Sequence, residues 1–450
     1  MRNKLIILGV VALSAALHLV PVNALADDEK DILELYTLAK AKDPTVGKAE
    51  ARLEAGKADQ EIAWSALLPR ISANAGQRNL WHTVSNYNTT GDVSGTYSSY
   101  NYSVGGQIAI FNLPSFLQVS AADAGLKSAE AGTLAAQQDL IVRLVNGYVA
   151  LLKAQTDEKL YRDELARVAK ILEQAEAFLK AGTGDIIAVY EAKARMDSAA
   201  ADLIKTEAQL SIAIQNLSSL AGINVTKIKD LPPLPLKGPQ PADLGWWLEA
   251  MQKNSPTLRQ AIEDLQQAGH YSNANRAGHL PTIQFSGGYA VDKGSTFLPE
   301  VETKQWYIGA SISFPIYSGG ETVARTRRAV AGESERRFML EDTKDQNIKR
   351  LKDAFLNLQY NVSLAEAYKR KHESSELQLK ATQKGRSIGT RTAIDLLNAE
   401  QSYAVSRRDL TNALYDNLLR HLELKSNAGI LVEQDLIEFN RLLVPSAPKP

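Results

Sequence analysis

Few residues of this sequence have types and spacings that could support covalent chemistry. The 450-residue chain has no cysteine, which excludes thiol nucleophiles, thiolate metal sites and disulfides. No two histidines beyond the N-terminal segment have metal-ligand spacing, and the H-E-x-x-H, P-loop, G-x-S-x-G and dinucleotide patterns are missing. The run Gly182-Thr183-Gly184-Asp185 resembles a phosphate-binding loop, but it lacks the lysine and a preceding strand. We therefore predict that the chain is not an enzyme and holds no metal or cofactor.

Charged side chains beside two glycine turns offer electrostatic chemistry instead. Arg391 follows Gly389-Thr390, and Asp395 lies four residues further on. Asp185 lies near the other turn, directly after Gly184. A solvated pair of this spacing contributes only about 0.5 kcal/mol, so an ordinary surface pair is the alternative to a functional one. A functional site would need elements that bring the two turns to one place.

The composition narrows the classes of protein that could supply those elements. The chain has 51 basic and 51 acidic residues, which argues against a nucleic-acid binder. A mean hydropathy of −0.22 argues against a helical protein with many membrane spans. At about 150 residues per domain, length alone suggests three compact domains.

The first segment, residues 1–26, has the features of a secretory signal peptide. Arg2 and Lys4 precede an apolar core, and Ala24-Leu25-Ala26 forms an A-x-A cleavage site. No cysteine follows the site, so the mature end cannot carry a lipid. No later stretch reaches the roughly 18–20 apolar residues of a membrane helix. The sequence thus predicts a protein that leaves the cytoplasm and is not anchored in the inner membrane.

The remaining chain repeats one plan twice. Pro44-Thr45 and Leu68-Pro69 recur at an offset of 212 residues, as Pro256-Thr257 and Leu280-Pro281. The Gly-Thr pair at 182 and the Ala-Gly-Ile at 221 recur at an offset of 207, at 389 and 428. Ordered matches at nearly constant offset indicate an internal duplication.

The repeat divides the chain into matching segments. We predict a helix (27–68), a β-hairpin (69–111) and a long helical hairpin (112–224), then a linker (225–245). The second copy has a helix (246–280), a β-hairpin (281–317), a long helical hairpin (318–428) and a C-terminal segment (429–450).

The hairpin segments alternate apolar and polar residues over about ten positions. One predicted face carries Trp306, Ile308, Ala310, Ile312, Phe314 and Ile316, and similar faces begin at Ile71, Tyr102 and Ile283. This period, with aromatic residues near the ends, suits transmembrane β-strands. An ordinary half-buried hairpin has the same period, but here helices flank each hairpin and no segment is available to cover the apolar face.

The helical segments are unusually long and carry a narrow apolar seam. Leu165, Val168, Leu172, Ala175 and Leu179 step by three and four residues, as do Leu351, Phe355, Leu358, Val362 and Ala365. This spacing is typical of coiled coils. Each pattern could extend roughly 100 Å before its glycine turn. Four strands cannot close a barrel in lipid, so further copies of the chain must supply strands.

Several motifs in the sequence resemble those of the TolC family of trimeric outer-membrane channels. The sharpest is Ser387-Ile388-Gly389-Thr390-Arg391-Thr392-Ala393-Ile394-Asp395-Leu396-Leu397-Asn398-Ala399, which is similar to the family's coiled-coil tip. The segments Phe314–Gly320, Gly278–Pro281 and Glu433–Leu436 also resemble the family, and the similarity covers essentially the whole mature chain.

The resemblance implies a mixed α and β membrane protein that forms a homotrimer in the outer membrane of a Gram-negative bacterium. Each protomer would add four strands to a twelve-stranded β-barrel that continues into a long periplasmic α-helical coiled-coil barrel. It implies a passive duct for efflux of small molecules or type I protein secretion, gated at the periplasmic tip. Its expected partners are outer-membrane lipid, a periplasmic adaptor and an inner-membrane transporter of RND, ABC or MFS type, with no nucleic acid.

The resemblance also implies roles for the two turns. The adaptor would dock on the tip residues Gly182, Thr183, Gly184, Asp185, Gly389, Thr390, Arg391 and Thr392, although these glycines could merely end helices. The family's entrance carries two aspartates one helical turn apart. The first matches Asp395, whereas the second falls on the uncharged Asn398, so we expect a cation-selective ring of one aspartate per protomer and a weaker field.

The family's closing links join an arginine that matches Arg391 to acidic or tyrosine partners. Those partner positions carry Ala188 and Arg386 here, so the family's usual bridge cannot form. Arg391, Asp185 and Arg386 are therefore the candidates for a different gate network.

Two alternatives share parts of this pattern. A periplasmic adaptor also has long helical hairpins, but it would need a lipidated cysteine or a membrane helix. A general porin shares the barrel, but it would have many more strands and far less helix.

Overall fold

The structure, a computed structural model, describes residues 29–84, 93–232, 235–294 and 301–445. The proposed signal peptide, residues 1–26, lies outside these ranges. The first half contains α1 (Ile32–Lys42), α2 (Pro44–Ser65), β1 (Arg70–Val84), β2 (Val93–Phe111), α3 (Leu113–Lys180) and α4 (Ile186–Ala221). The second contains α5 (Leu244–Asn254), α6 (Pro256–Arg276), β3 (Thr282–Gly294), β4 (Val301–Ser313), α7 (Glu321–Ser387), α8 (Ala393–Asn427) and α9 (Glu433–Arg441). The order helix, hairpin, long helix, returning helix therefore occurs in both halves.

Proline divides the helices that precede each β-hairpin. Two helices, α1 and α2, lie where the sequence pattern suggests one, because Pro44 starts a new helix at its N-terminus. Asp43 caps that helix by accepting hydrogen bonds from the backbone amides of Thr45 and Val46. Ser255 and Pro256 divide α5 from α6 in the same way.

The four strands form one antiparallel sheet in the order β1-β2-β3-β4. Directly paired residues point to the same face of a sheet. The register therefore places the predicted apolar residues of all four strands on one face. One such row consists of Ala73, Val104, Tyr289 and Trp306. The opposite face is polar, with the row Ser72, Gly105, Gly288 and Tyr307. The described part of the chain leaves much of the apolar face exposed, and Trp306 is 82% exposed.

The sheet continues directly into helices of great length. Helix α3 has 68 residues and α7 has 67, so each extends about 100 Å at 1.5 Å per residue. The buried seam of α3 includes Val168 and Ala175 from the predicted pattern, while Leu165, Leu172 and Leu179 are partly buried. In α7, Leu351, Phe355, Leu358 and Ala365 are buried.

Shorter segments pack around the middle of the long helices. Helices α1 and α9 share a hydrophobic core with α3 and α4. Within it Tyr148 donates a hydrogen bond to the backbone carbonyl of Lys229 at 2.7 Å and contacts Phe439 edge to face. Helix α5 buries Trp247 and Met251 against α7 and α8. A third core near the turns joins Val168 of α3, Ala192 of α4, Leu379 of α7 and Leu396 of α8, so both helical turns lie at the same end.

Candidate functional site

The first helical turn, between α3 and α4, closes on backbone hydrogen bonds. The amides of Thr183 and Gly184 both donate to the carbonyl of Phe178, at 3.0 and 2.9 Å. This closure requires a left-handed residue, and Gly182 supplies it with φ of +74°. Asp185 then caps α4 by accepting from the amide of Ile187 at 3.0 Å. Asp185 therefore has a structural role at the tip, whatever else it contacts.

The second turn, between α7 and α8, has the same construction. Gly389 has φ of +76°, and the amide of Thr390 donates to the carbonyl of Gly385 at 2.9 Å. Thr392 and Asp395 form a reciprocal capping box at the start of α8. The Thr392 amide and hydroxyl donate to Asp395 Oδ2 at 2.9 and 3.0 Å, and the Asp395 amide donates to Thr392 Oγ1 at 3.1 Å.

The capping box favours the ionised form of Asp395. Hydrogen bonds from the backbone and side chain of Thr392 lower the pKa of this carboxyl group, and the positive charge of Arg391 lowers it further. Asp395 is therefore ionised at neutral pH. Asn398, one helical turn along α8, is exposed and uncharged. The α8 side of the turn thus presents one acidic charge per chain.

The candidate gate residues make contacts that sequence spacing does not suggest. Arg386 of α7 donates to Gln174 Oε1 of α3 at 3.2 Å, which joins the two helical hairpins near the tip. Arg391 lies with its aliphatic carbons over Gly385. Among the described residues, no hydrogen bond or ion pair joins Arg391 to Asp185 or Asp395. Ala188 lies in the first turn of α4.

Polar pairs between the long helices, both within one helical hairpin and between the two, are the residues that sequence reasoning missed. Glu164 and Glu400 occupy nearly buried positions among apolar seam residues, and each binds an arginine. The nitrogen-to-oxygen distances are 2.6 Å for Arg195–Glu164 and 3.1 Å for Arg167–Glu400. Further from the tip, Arg408 donates to Tyr161 and Lys153 pairs with Asp416, both between α8 and α3. A charged residue at a seam position was the available signal, because a buried charge needs a partner.

A groove lined by both polar and apolar side chains lies between α2, α3 and α6, between the sheet and the middle of the long helices. Its volume is about 900 Å³. Ser128 of α3 donates to Asp264 of α6 at 2.5 Å, and Gln267 lies against Gly125. Arg52, Asp59 and Tyr271 also line the groove. Water and polar solutes therefore have access to this wall of the helical layer.

Membrane-spanning helices and metal centres are two other features that could define a site. In the described part of the chain, no helix is both long and apolar enough to cross a membrane. The same residues contain no group of three or more histidine or acidic side chains that could hold a metal ion.

Comparison with known families identifies the class of protein. The model of the family described as "Outer membrane efflux protein" matches residues 35–223 and 247–429. The chain belongs to this family. The two matched ranges correspond to the two halves of the chain, each with its β-hairpin and long helical hairpin.

Relatives agree with the family assignment along most of the chain. The outer membrane protein TolC of Vibrio cholerae is 26% identical over 417 residues, which cover 91% of this chain and 93% of that protein. The alkaline protease secretion protein AprF of Pseudomonas aeruginosa is 27% identical over 414 residues, which cover 90% and 85%. The TolC-family resemblance is thereby confirmed.

Solved structures share the fold. The outer-membrane channel OprN superposes with a TM-score of 0.76 at 20% identity, covering 88% of this chain and 89% of that one. The CmeC outer membrane channel of Campylobacter jejuni superposes with a TM-score of 0.77 at 16% identity, covering 93% and 91%. The chain thus has the mostly helical fold with a small sheet of the TolC-like efflux channels. It is an outer-membrane protein of a Gram-negative bacterium with a large periplasmic part, as the motifs predicted.

Proposed function

We propose that three copies of this chain form a passive outer-membrane exit duct. Each copy would contribute its four strands to a twelve-stranded β-barrel and its helices to a periplasmic tunnel. The observation that carries the proposal is the sheet, whose apolar residues share one face and whose edge strands, β1 and β4, have no partner within the described chain. Such edges are not tolerated in lipid, because unpaired backbone groups there cost several kcal/mol each.

The helical part supports a tunnel that solutes could pass through. Helices of about 100 Å continue directly from the sheet and turn back at one end. Charged and amide side chains line part of the groove between α2, α3 and α6, which is compatible with a water-filled path. The adaptor-docking and gating roles of the tip rest on the two glycine turns, the Asp395 charge and the Arg386–Gln174 contact.

The exported substrate is either small molecules or secreted proteins. The relatives named as protease secretion proteins, AprF and PrtF of Dickeya chrysanthemi, support type I secretion. The family description supports efflux. In both modes a periplasmic adaptor and an inner-membrane transporter would recruit the duct, and selectivity would lie in the transporter.

Assembly and conductance test the proposal. Membrane extracts should contain a heat-sensitive trimer, and the purified protein in planar bilayers should give a narrow, cation-preferring and mostly closed pore. A monomer without a heat-sensitive oligomer and without β signal in circular dichroism would contradict the proposal. A large, permanently open conductance would favour a general porin. Isolation of the intact envelope complex would identify the adaptor and transporter.

A further inference from the structure

The sheet contains a template for its own pairing with a second copy. Within the chain, β2 of the first half pairs with β3 of the second half. In a ring of copies, β4 of one copy would pair with β1 of the next. Strand β4 is the counterpart of β2, and β1 is the counterpart of β3. If the two halves are structural repeats, both junctions have the same register.

The offsets between the halves define that register. Ile71 of β1 corresponds to Ile283 of β3 at the offset of 212. Ile71 pairs with Gly106, and Ile283 pairs with Ile312. Gly106 therefore corresponds to Ile312, so β2 corresponds to β4 at an offset of 206 residues. Gly106 pairs with Gly287 in the β2–β3 ladder. Gly106 corresponds to Ile312, and Gly287 corresponds to Ala75 at the offset of 212. The counterpart of the Gly106–Gly287 pair is therefore Ile312 with Ala75 of the partner subunit.

We infer that β4 pairs antiparallel with β1 of a second copy, with Ile312 opposite Ala75 of the partner subunit. This inference rests on the proposed homotrimer and adds its strand register. The same ladder places Ile308 opposite Asn79 of the partner subunit on the apolar face. On the polar face it places Ser311 opposite Gly76 of the partner subunit.

Exposure at the two edges supports a second copy as the occupant. Every residue of β4 is exposed, although its counterpart β2 is covered in part by its neighbours. Trp306 on one edge and Trp81 on the other are 82% and 78% exposed. The inferred register places Trp306 directly opposite Trp81 of the partner subunit. Tyr289 already lies 4.6 Å from Trp306 between ring centroids, so three aromatic rings would form one row on the lipid-facing side.

A bulge in the β2–β3 ladder corresponds to a position next to a proline in the second half. The β2–β3 register shifts between Ala109 and Phe111. At the offset of 206 these positions correspond to Pro315 and Tyr317, directly after Phe314. Proline cannot donate to a regular ladder but is accommodated at a bulge. The inferred ladder therefore continues past the end of β4, with Phe314 opposite Ala73 of the partner subunit. The extra residue of the bulge corresponds to Ile316, directly after Pro315.

Disulfide cross-linking tests the register without background, because the natural chain has no cysteine. The matched variants are Asn79→Cys with Ile308→Cys and Gly76→Cys with Ser311→Cys, one on each face of the sheet. A Cβ atom added at Gly76 would have no neighbour within 4 Å. Within one chain the two edges are three strand spacings, about 14 Å, apart, too far for a disulfide. A cross-link therefore reports contact between copies.

Two controls share a cysteine with the first matched pair. They are Asn79→Cys with Ala310→Cys and Gln77→Cys with Ile308→Cys, each displaced by two residues. Diagonal positions lie about 7–8 Å apart, beyond disulfide reach. After oxidation, the matched pairs should give a covalent trimer on denaturing gels without reductant, at least about tenfold more than the controls, and the single variant Asn79→Cys should give none.

The outcomes separate the register from the trimer. Equal or stronger cross-linking in a control would overturn the register while leaving the trimer in place. A heat-sensitive trimer in reductant with no cross-link from either matched pair would also overturn the register. If the natural protein itself forms no heat-sensitive trimer, the proposed function fails and the register fails with it. The second matched pair keeps the test decisive if the first disturbs assembly.

Discussion

Arg143 of α3 donates two hydrogen bonds to the carboxylate of Asp43, the residue that caps α2. The Nη1–Oδ2 distance is 2.8 Å and the Nη2–Oδ1 distance is 3.1 Å. The Asp43 side chain is only 3% exposed, whereas Arg143 remains 35% exposed. The pair thus ties the start of α2 to the middle of the long helix α3.

Arg143→Ala should lower the free energy of unfolding by about 2 kcal/mol. Removing one partner of a buried pair usually costs about 3–5 kcal/mol, but Arg143 is partly solvated and Asp43 keeps its two backbone donors. Urea unfolding followed by helical circular dichroism in detergent measures the change. Asp139→Ala is the control, because Asp139 binds the same arginine but is 56% exposed, and it should change stability by less than about 0.5 kcal/mol.

The same pair should make stability depend on pH. Hydrogen bonds from Arg143 lower the pKa of Asp43, and the backbone amides of Val46 and Thr45 add to that effect against the opposing effect of burial. In the folded protein the pKa of Asp43 lies below the ordinary value of about 3.9, so the stabilisation by this pair is fully present above about pH 3.9. It is lost as pH falls through the pKa of Asp43 in the folded protein. The natural protein should therefore lose more stability than Arg143→Ala below about pH 4. Parallel pH curves for the two proteins would contradict this assignment.

Asp395→Asn should weaken block by a trivalent cation about tenfold, because three carboxylates would leave the entrance together. The asparagine can still accept from Thr392, so α8 should keep its cap and the trimer its stability. Asn398→Asp should have the opposite effect on block by adding a second acidic ring one turn away. Single-channel recording in planar bilayers measures both variants. Unchanged block in Asp395→Asn would leave that residue with its capping role alone.

Arg386→Ala should raise the open probability of the channel about fivefold, the change that 1 kcal/mol produces. The variant removes the hydrogen bond to Gln174 that joins the two hairpins near the tip. Lys384→Ala, an exposed change two residues away, should leave opening unaltered. Equal opening in both variants would mean that the Arg386–Gln174 contact does not hold the tip.

Gly429→Ala should disrupt folding far more than Gly222→Ala, although both glycines stand in an Ala-Gly-Ile motif. Both have positive φ, +73° and +68°, so each alanine costs about 1 kcal/mol in backbone strain. A Cβ at Gly429 would lie 2.6 Å from the backbone of Asn254 and Ser255, whereas at Gly222 its three nearest atoms would all belong to the movable side chain of Lys42. The yield of heat-sensitive trimer compares the variants, and similar yields would contradict the packing argument.

Local sequence patterns indicated the strands, their apolar faces and the two glycine turns, but not every helix boundary. Alternation of apolar residues in the hairpin segments corresponds to strands whose apolar residues lie on one face of the sheet, because side-chain direction has a period of two along any strand. Gly182 and Gly389 predicted the two turns, since a left-handed residue is a local requirement. Pro44 and Pro256 indicate helix breaks, but the segments 27–68 and 246–280 were each predicted as one helix.

Contacts between distant segments could not be predicted in this way. Arg143 and Asp43 lie 100 residues apart, and Arg386 and Gln174 lie 212 apart, so no spacing relates them. Asp395 matched an entrance ring by motif, but only the structure showed that its oxygens already hold the start of α8. The sequence by itself determined which residues form strands, helices and turns, because those depend on neighbours along the chain. The tertiary structure decided which side chains meet, because that depends on how helices about 100 Å long align, where one residue of displacement changes every partner.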